Sequence, residues 1–353
     1  MNMEATLERQ EITRNNEFMT DAQRVPTPIE LQELHPLTEV AQQRISDNRQ
    51  VVEAIMSGRD NRKLIIVGPC SLDDAMLDNE PAVVRLAETL AQFAQQPHVQ
   101  DQAMVVMRCP PVKPRSANGW AGLEQTNLIG AHGLLSHIAN KELPLAIEVM
   151  HERHFARFGH LLTTAWVGAR EVNSTLLRHS VSAQGELPIW FKNGQDGKLD
   201  DVTAAIQTAQ EPHDVEFMDE TGQLWQKVSK GHSNTGFILR GGAQVTDPND
   251  FAQSVMHAEQ LQRPFLVDCA HGNAVAHDEN QQKSVAGQLA CLEHLKQILT
   301  QQTDMTHWKG LMLEAHVHEG SDPVKAGFSR TDPCIGIDRA IEKLEQFLKN
   351  TLQ

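Results

Sequence analysis

Eight short apolar runs separated by longer amphipathic stretches, a polar residue near the end of each run, and a length of 353 residues predict an α/β protein folded as a (β/α)8 TIM barrel. A barrel of this kind needs about 250 residues. The remainder is assigned to an N-terminal helical extension over residues 1–60, which leaves 61–353 for the catalytic barrel, and to a small hairpin inserted before the sixth strand.

The first residues, to about position 25, are polar without sustained periodicity and are expected to form a mobile tail leading to Pro26 and Pro28. From Thr38 to Met56, Val40, Ile45, Val51, Val52 and Ile55 recur at helical spacing, and Gly58 supplies a stop, so a helix is predicted ahead of the barrel. The eight runs are 64–70, 103–109, 143–149, 164–170, 188–194, 236–242, 264–271 and 310–316. The stretch from about Glu211 to Thr235 is too long for a simple loop, and its VEFMD and LWQKV segments predict the hairpin. A doubly wound open sheet fits the same alternation.

Composition narrows the function. Hydrophobic residues make up 40% and charged residues 22%, as in globular proteins, and no apolar run approaches the ~20 residues of a bilayer span. A net charge of −15 argues against a nucleic-acid partner, whose phosphates require a basic face. Five cysteines, an odd number without CxxC pairs, and an amino terminus without an apolar segment predict a cytoplasmic protein and no membrane partner.

The polar run-end residues carry the chemistry. Cys70, Arg108, Glu148, Arg170, Lys192, Arg240, His271 and Glu314 all fall towards C-terminal strand ends, the rim on which barrel enzymes assemble their sites. Arg108, Arg170, Lys192 and Arg240, with Lys113 just beyond the second strand, would crowd positive charge into one cavity, which is tolerable when anions such as a phosphate and a carboxylate fill it. Any one of these arginines could instead serve a structural ion pair. Cys70, His271 and Glu314, completed by Asp332, offer thiolate, imidazole and carboxylate, a set that suits Mn, Fe, Co or Zn better than Mg or Ca. A buried cysteine and a strand-end histidine are also common as plain packing residues. With 17 histidines in the chain, His316 and His318 beside Glu314 are read as one near the pocket and one outside it. The glycines of FKNGQDG and RGG lack nucleotide-binding spacing and are expected to give phosphate-binding backbone amides room.

In order, GPCS (68–71), MRCPPVKPRS (107–116), GAR (168–170), FKNGQDG (191–197), ILRGG (238–242), DCAHGN (268–273), MLEAH (312–316) and TDPCIG (331–336) closely resemble the class I, microbial (type I alpha) 3-deoxy-D-arabino-heptulosonate-7-phosphate (DAHP) synthases, from about Asn61 to the end. The resemblance implies condensation of phosphoenolpyruvate with erythrose 4-phosphate at the entry to the shikimate pathway, with one divalent metal ion. It implies metal ligation by Cys70, His271, Glu314 and Asp332. Phosphoenolpyruvate would be held by Arg108, Lys113, Arg170, Lys192 and Arg240, with Glu148 and the Ala169 backbone on its phosphate side. The aldose phosphate would meet Lys113, Pro114, Arg115 and Ser116. Lys113, Cys70 and His271 are the expected catalytic residues. A homo-oligomer and an aromatic amino acid effector are also implied.

The sequence departs from the family at Val112, where a glutamate is usual, and at Ser116-Ala117 and Glu171-Val172, each in place of two threonines. The loop after Trp120 is shortened. A sister enzyme acting on another aldose phosphate, or a non-catalytic barrel kept as a regulatory partner, are the competing readings.

Overall fold

The computed structural model describes residues 24–72, 80–113, 122–302 and 304–351. Two helices precede the first strand. In α1 (Pro28–Leu34), Thr27 and Glu30 form a reciprocal capping box and Pro28 opens the first turn. The sequence reading missed this helix because seven residues are too short to show a period. In α2 (Glu39–Ser57), the Thr38 hydroxyl accepts from the Ala41 amide and Gly58 closes the helix at φ 77°, as the sequence predicted.

Eight parallel strands follow: β1 (Lys63–Gly68), β2 (Ala103–Arg108), β3 (Leu145–Val149), β4 (Thr164–Val167), β5 (Ile189–Lys192), β8 (Thr235–Leu239), β9 (Phe265–Asp268) and β10 (Trp308–His316). They are hydrogen-bonded in that order, and β1 pairs with β10 from Leu64↔Gly310 to Gly68↔Glu314, so the sheet is a closed barrel rather than an open one. Between β5 and β8 lies the antiparallel hairpin β6 (Asp214–Met218) and β7 (Leu224–Val228), its first strand beginning one residue earlier than the predicted VEFMD segment. A two-residue β11 (Ile335–Gly336) extends β10 on its C-terminal side.

Alternation along the strands sorts side chains into two cores. Ile65, Val67, Val105, Met107, Ile147 and Phe191 point outward into the layer under the helices. Leu64, Ile66, Met104, Val106, Ala146, Trp166, Trp190, Ile238, Leu266 and Met312 point inward and pack together with Val52, Ile55 and Met56 of α2. Full burial is worth roughly 1.5–3 kcal/mol for each such α2 side chain. Because α2 meets the amino-terminal ends of the strands, it plugs that mouth and leaves the opposite one for chemistry.

The same period of two, carried one or two steps further along each strand, replaces apolar residues with Arg108, Glu148, Lys192, Arg240, Asp268 and Glu314. Inward-facing positions therefore change from hydrocarbon to charge at the carboxyl end of the barrel.

Candidate active site

Lys113, Glu148, Ala169, Arg170, Lys192, Gln195, Arg240, His271, Lys283 and Asp332 line one cleft at that end. Eight of the residues expected from the phosphoenolpyruvate and metal sets, Asp332 among them, are thus brought to one cleft. Cys70 and Glu314 lie immediately behind it, buried at 1% exposure each. Pro114, Arg115 and Ser116 lie outside the described residues.

Arg108 takes a different position from a cleft-facing cation. Its guanidinium is buried, donating from Nε to the Pro69 carbonyl at 3.0 Å and from Nη2 to the Cys70 carbonyl at 3.1 Å, with Glu314 Oε1 at 2.9 Å. It also lies over the Trp166 ring at 5.3 Å. In this arrangement Arg108 fixes the backbone before Cys70 and neutralises Glu314.

The sulfur of Cys70 and carboxylate oxygens of Glu314 and Asp332 lie within 4.8 Å of one another. His271 Nε2 is 3.5 Å from Glu314 Oε1, so the fourth expected ligand faces the same point. The Lys113 ammonium sits among them, hydrogen-bonded to Cys70 Sγ and 3.9 and 3.8 Å from Glu314 and Asp332. A hydrogen bond with Cys334 outweighs burial and pulls the Cys70 thiol down to about 6, towards the thiolate that metal ligation requires. Burial, then Lys192, lowers His271 to about 4, which keeps the imidazole neutral and able to ligate. Buried Glu314 Oε1 is held in ion pairs with Arg108 and Lys113 and faces His271 Nε2. Converging anionic and imidazole donors of this kind fit a divalent metal ion.

Asp268 was missed by the sequence reading although it ends a strand three residues before His271. It is fully buried, 2.8 Å from Lys192 Nζ and 2.9 Å from His271 Nδ1. Burial opposes its ionisation, but Lys192 and His271 hold it well below the usual carboxylate range. It pins the imidazole of a residue whose own backbone is held in the left-handed region at φ 57°. Lys283 was missed because it lies in a polar loop; its Nζ is 2.9 Å from Asp332 Oδ2.

Gly197 of FKNGQDG, Gly242 of RGG and Gly272 of HGN pack on one another. A methyl on Gly242 would meet the Gly197 nitrogen at 2.3 Å, and one on Gly272 the Gly242 nitrogen at 2.4 Å, so these glycines let three loops close together. His316 is buried without lining the cleft, while His318 is exposed against Phe328 at 5.0 Å between centroids.

A second trio, Glu124, His151 and His154, also clusters within 4.8 Å. Here Arg157 Nη1 already pairs with Glu124 at 2.5 Å and His154 Nε2 with its other oxygen at 2.7 Å. That carboxylate is neutralised, so the trio ties the one-turn helix Leu123–Thr126 to the helix Arg153–Phe158.

The model of the DAHP synthetase I family matches residues 29–344. The chain belongs to that family. Among its relatives, the Tyr-sensitive phospho-2-dehydro-3-deoxyheptonate aldolase of Escherichia coli K12 is 32% identical over 96% of this chain and 97% of its own length. The tyrosine-inhibited enzyme of Schizosaccharomyces pombe is 31% identical over 91% of this chain and 88% of its own. The solved phospho-2-dehydro-3-deoxyheptonate aldolase of Francisella tularensis SCHU S4 superposes with a TM-score of 0.77 at 26% identity, over 94% of this chain and 98% of that one. Among the described residues, no helix is long and apolar enough to cross a membrane.

Proposed function

We infer that this chain condenses phosphoenolpyruvate with D-erythrose 4-phosphate and water to give DAHP and phosphate, the first step of the shikimate pathway. One observation carries the reading: a cleft lined by Lys113, Arg170, Lys192, Arg240, His271 and Asp332, with the Cys70 and Glu314 donors immediately behind it, in a chain of this family. A sister aldose specificity and a silent barrel have no such specific support.

In this reading Arg170, Arg240 and Lys192, with the Ala169 amide, hold the phosphate and carboxylate of phosphoenolpyruvate by charge-assisted hydrogen bonds. Lys113, Pro114, Arg115 and Ser116 receive the aldose phosphate. Cys70, His271, Glu314 and Asp332 hold a divalent ion of the Mn, Fe, Co or Zn type, which supplies Lewis-acid polarisation of the aldehyde when bound. The C3 carbon of phosphoenolpyruvate forms the new bond to the aldehyde carbon, and Lys113 gives a proton from Nζ to the resulting alkoxide. Cys70, Glu314 and Asp332 outweigh burial and raise the Lys113 pKa, so the ammonium is present at neutral pH to donate. Water then adds at C2, and phosphate leaves into the same cationic wall.

Residues 1–60 are proposed to form a regulatory extension, and an aromatic amino acid is proposed as effector, supported by the Tyr-sensitive and Trp-sensitive names of relatives. A cavity of about 440 Å³ away from the cleft, lined by Phe155, Ser180, Val215, Phe217 and Ser229 under the hairpin, has the mixed apolar and hydroxyl character such a ligand needs. A homo-oligomer is supported by the outward Leu224, Trp225 and Val228 of β7, exposed by 54–61%. The cytosol, where five free thiols are at home, is the proposed compartment.

Phosphate release from phosphoenolpyruvate, measured with a panel of aldose phosphates, tests the function. Preference for erythrose 4-phosphate is expected; preference for a longer aldose phosphate supports a sister enzyme, and no turnover with any of them supports a silent barrel.

A further inference from the structure

At the phosphate end of the cleft two carboxyl groups crowd one glycine. A methyl placed on Gly168 would lie 2.3 Å from Glu148 Oε1 and 2.6 Å from Glu171 Oε2, so both side chains turn over the same backbone atom. Glu148 lines the cleft and is anchored by the Trp166 indole, whose Nε1 donates to Oε2 at 3.1 Å. Glu171 lies in the turn after β4, where its amide donates to the Gly168 carbonyl at 3.1 Å and its carbonyl accepts from Ser174 at 2.8 Å. Its Oε2 is buried with no hydrogen-bond partner. The resemblance places Glu148 on the phosphate side of phosphoenolpyruvate but gives Glu171 no task, and the family commonly has threonine at this position.

The charges around the pair are distributed unevenly. Burial opposes ionisation of Glu148, but Lys192 from β5, then Lys113, outweigh it and hold the group below its ordinary value. Arg240, beyond β8, contributes to the same field. Glu171 faces Glu148 from β3, against which stand Arg170 of its own turn and its own backbone amide; Asp201 of the neighbouring helix Asp200–Gln210 is engaged by Asn173 at 2.9 Å. Two carboxylates this close to one another ionise in sequence rather than together. An ionised oxygen left buried and unpartnered is costly, whereas a protonated carboxyl is tolerated there.

We propose that Glu171 is a positioning residue that works as a neutral acid: while it keeps its proton, Glu148 is the single anion at the phosphate end, and ionisation of Glu171 weakens binding of the phosphoenolpyruvate trianion. Burial, then Glu148, raises Glu171 to about 7, which places the change within the working range of pH. The sign follows from the charges. Below that value the site carries one carboxylate and binds well; above it a second negative charge appears, so kcat/KM for phosphoenolpyruvate falls as pH rises. Conversely, the bound trianion raises the Glu171 pKa further, so binding takes up a proton. This inference rests on the assignment of the cleft to phosphoenolpyruvate.

The test uses the metal-loaded full chain and its Glu171→Gln variant, with Glu171→Thr as a second neutral replacement should glutamine disturb folding. Calorimetric titration with phosphoenolpyruvate at pH 7.5, in two buffers of different ionisation enthalpy, counts the protons bound. The native chain is expected to take up several tenths of a proton more than either variant. Between pH 7 and 9 its KM for phosphoenolpyruvate should rise about three- to tenfold relative to the variants, the effect of one unit charge at a partly solvated site. The KM for the aldose phosphate should change alike in all three. Equal proton counts and superimposable pH profiles overturn the role of Glu171 while leaving the cleft assignment intact. Failure of the native chain to bind phosphoenolpyruvate overturns the assignment and the inference together.

Discussion

Replacing Asp268 with asparagine removes a buried charge that two other groups depend on. Its carboxylate lies 2.8 Å from Lys192 Nζ and 2.9 Å from His271 Nδ1, at 0% exposure. Leaving a buried cation without its partner costs about 3–5 kcal/mol, mostly as desolvation of the abandoned charge. For a chain of 353 residues, with unfolding entropy of about 2.1 cal/mol/K per residue, that loss lowers the apparent Tm by roughly 4–7 °C. The amide also fails to hold His271 in the orientation that points Nε2 at Glu314, and loss of such an orienting partner costs about 10–100-fold in metal affinity. The assay is a thermal melt of the metal-free protein together with a metal titration followed by calorimetry. A double variant, Asp268→Asn with Lys192→Met, should regain much of the Tm but none of the metal affinity, because the second change removes the stranded charge without restoring the imidazole's partner. Metal affinity unchanged in Asp268→Asn, or a Tm within 1 °C of the native value, would falsify this account of the residue.

Chelation should abolish activity and re-addition of a divalent ion restore it; full turnover by protein shown by elemental analysis to be metal-free contradicts the ligand assignment. Cys70 and Cys334 are in hydrogen-bond contact and Cys70 has a lowered pKa, so oxidative inactivation should proceed through a disulfide between them. Peptide mapping of the inactivated protein that finds both thiols free rejects that route. Arg170→Ala should raise the KM for phosphoenolpyruvate and Arg115→Ala that for the aldose phosphate, each about tenfold or more for a charge-assisted contact of roughly 1.5–3 kcal/mol. The opposite pattern reverses the two subsites. Burial, then His160, lowers His132 to about 3, and burial, then Arg49, lowers His160 to about 4, so the folded chain binds fewer protons here than the unfolded one. Their stability is full above pH ~6.5 and lost progressively as pH falls towards those values. Urea midpoints of the His132→Leu variant should therefore depend less on pH between 6.5 and 4.5 than those of the native chain, and parallel curves refute it.

The barrel was legible because its evidence is local and repeated. Each strand is a β-branched or apolar run of suitable length, and each ends in a residue with no reason to be in a core, so alternation alone placed Cys70, Glu148, Lys192, Arg240 and Glu314 at one rim. Closure was expected from the count of eight runs, but an open sheet stayed as the alternative because the deciding contact, β1 meeting β10, spans nearly the whole chain. Asp268 was passed over because a lone acid beside His271 looks like any loop residue until Lys192, 76 positions earlier in sequence, is seen against it. Lys283 reaches Asp332 across 49 residues with no motif to announce the contact. The inward contacts of Arg108 were not legible for the opposite reason. Its position was right, but the Pro69 and Cys70 carbonyls and Glu314 claim its guanidinium, and a strand-end arginine carries no sequence mark for which neighbour it satisfies. The glycines were read as room for phosphate-binding amides, and the approach of Gly197, Gly242 and Gly272 to one another carried no mark in the sequence.

The fate of the bridging oxygen of phosphoenolpyruvate tests the central claim most directly. With that oxygen labelled, and with erythrose 4-phosphate and the metal-loaded chain, attack by C3 followed by water addition at C2 predicts labelled inorganic phosphate and an unlabelled seven-carbon phosphorylated keto acid, both read by mass spectrometry. Label retained in the organic product, or phosphate released with no seven-carbon product, contradicts the condensation assigned to this cleft.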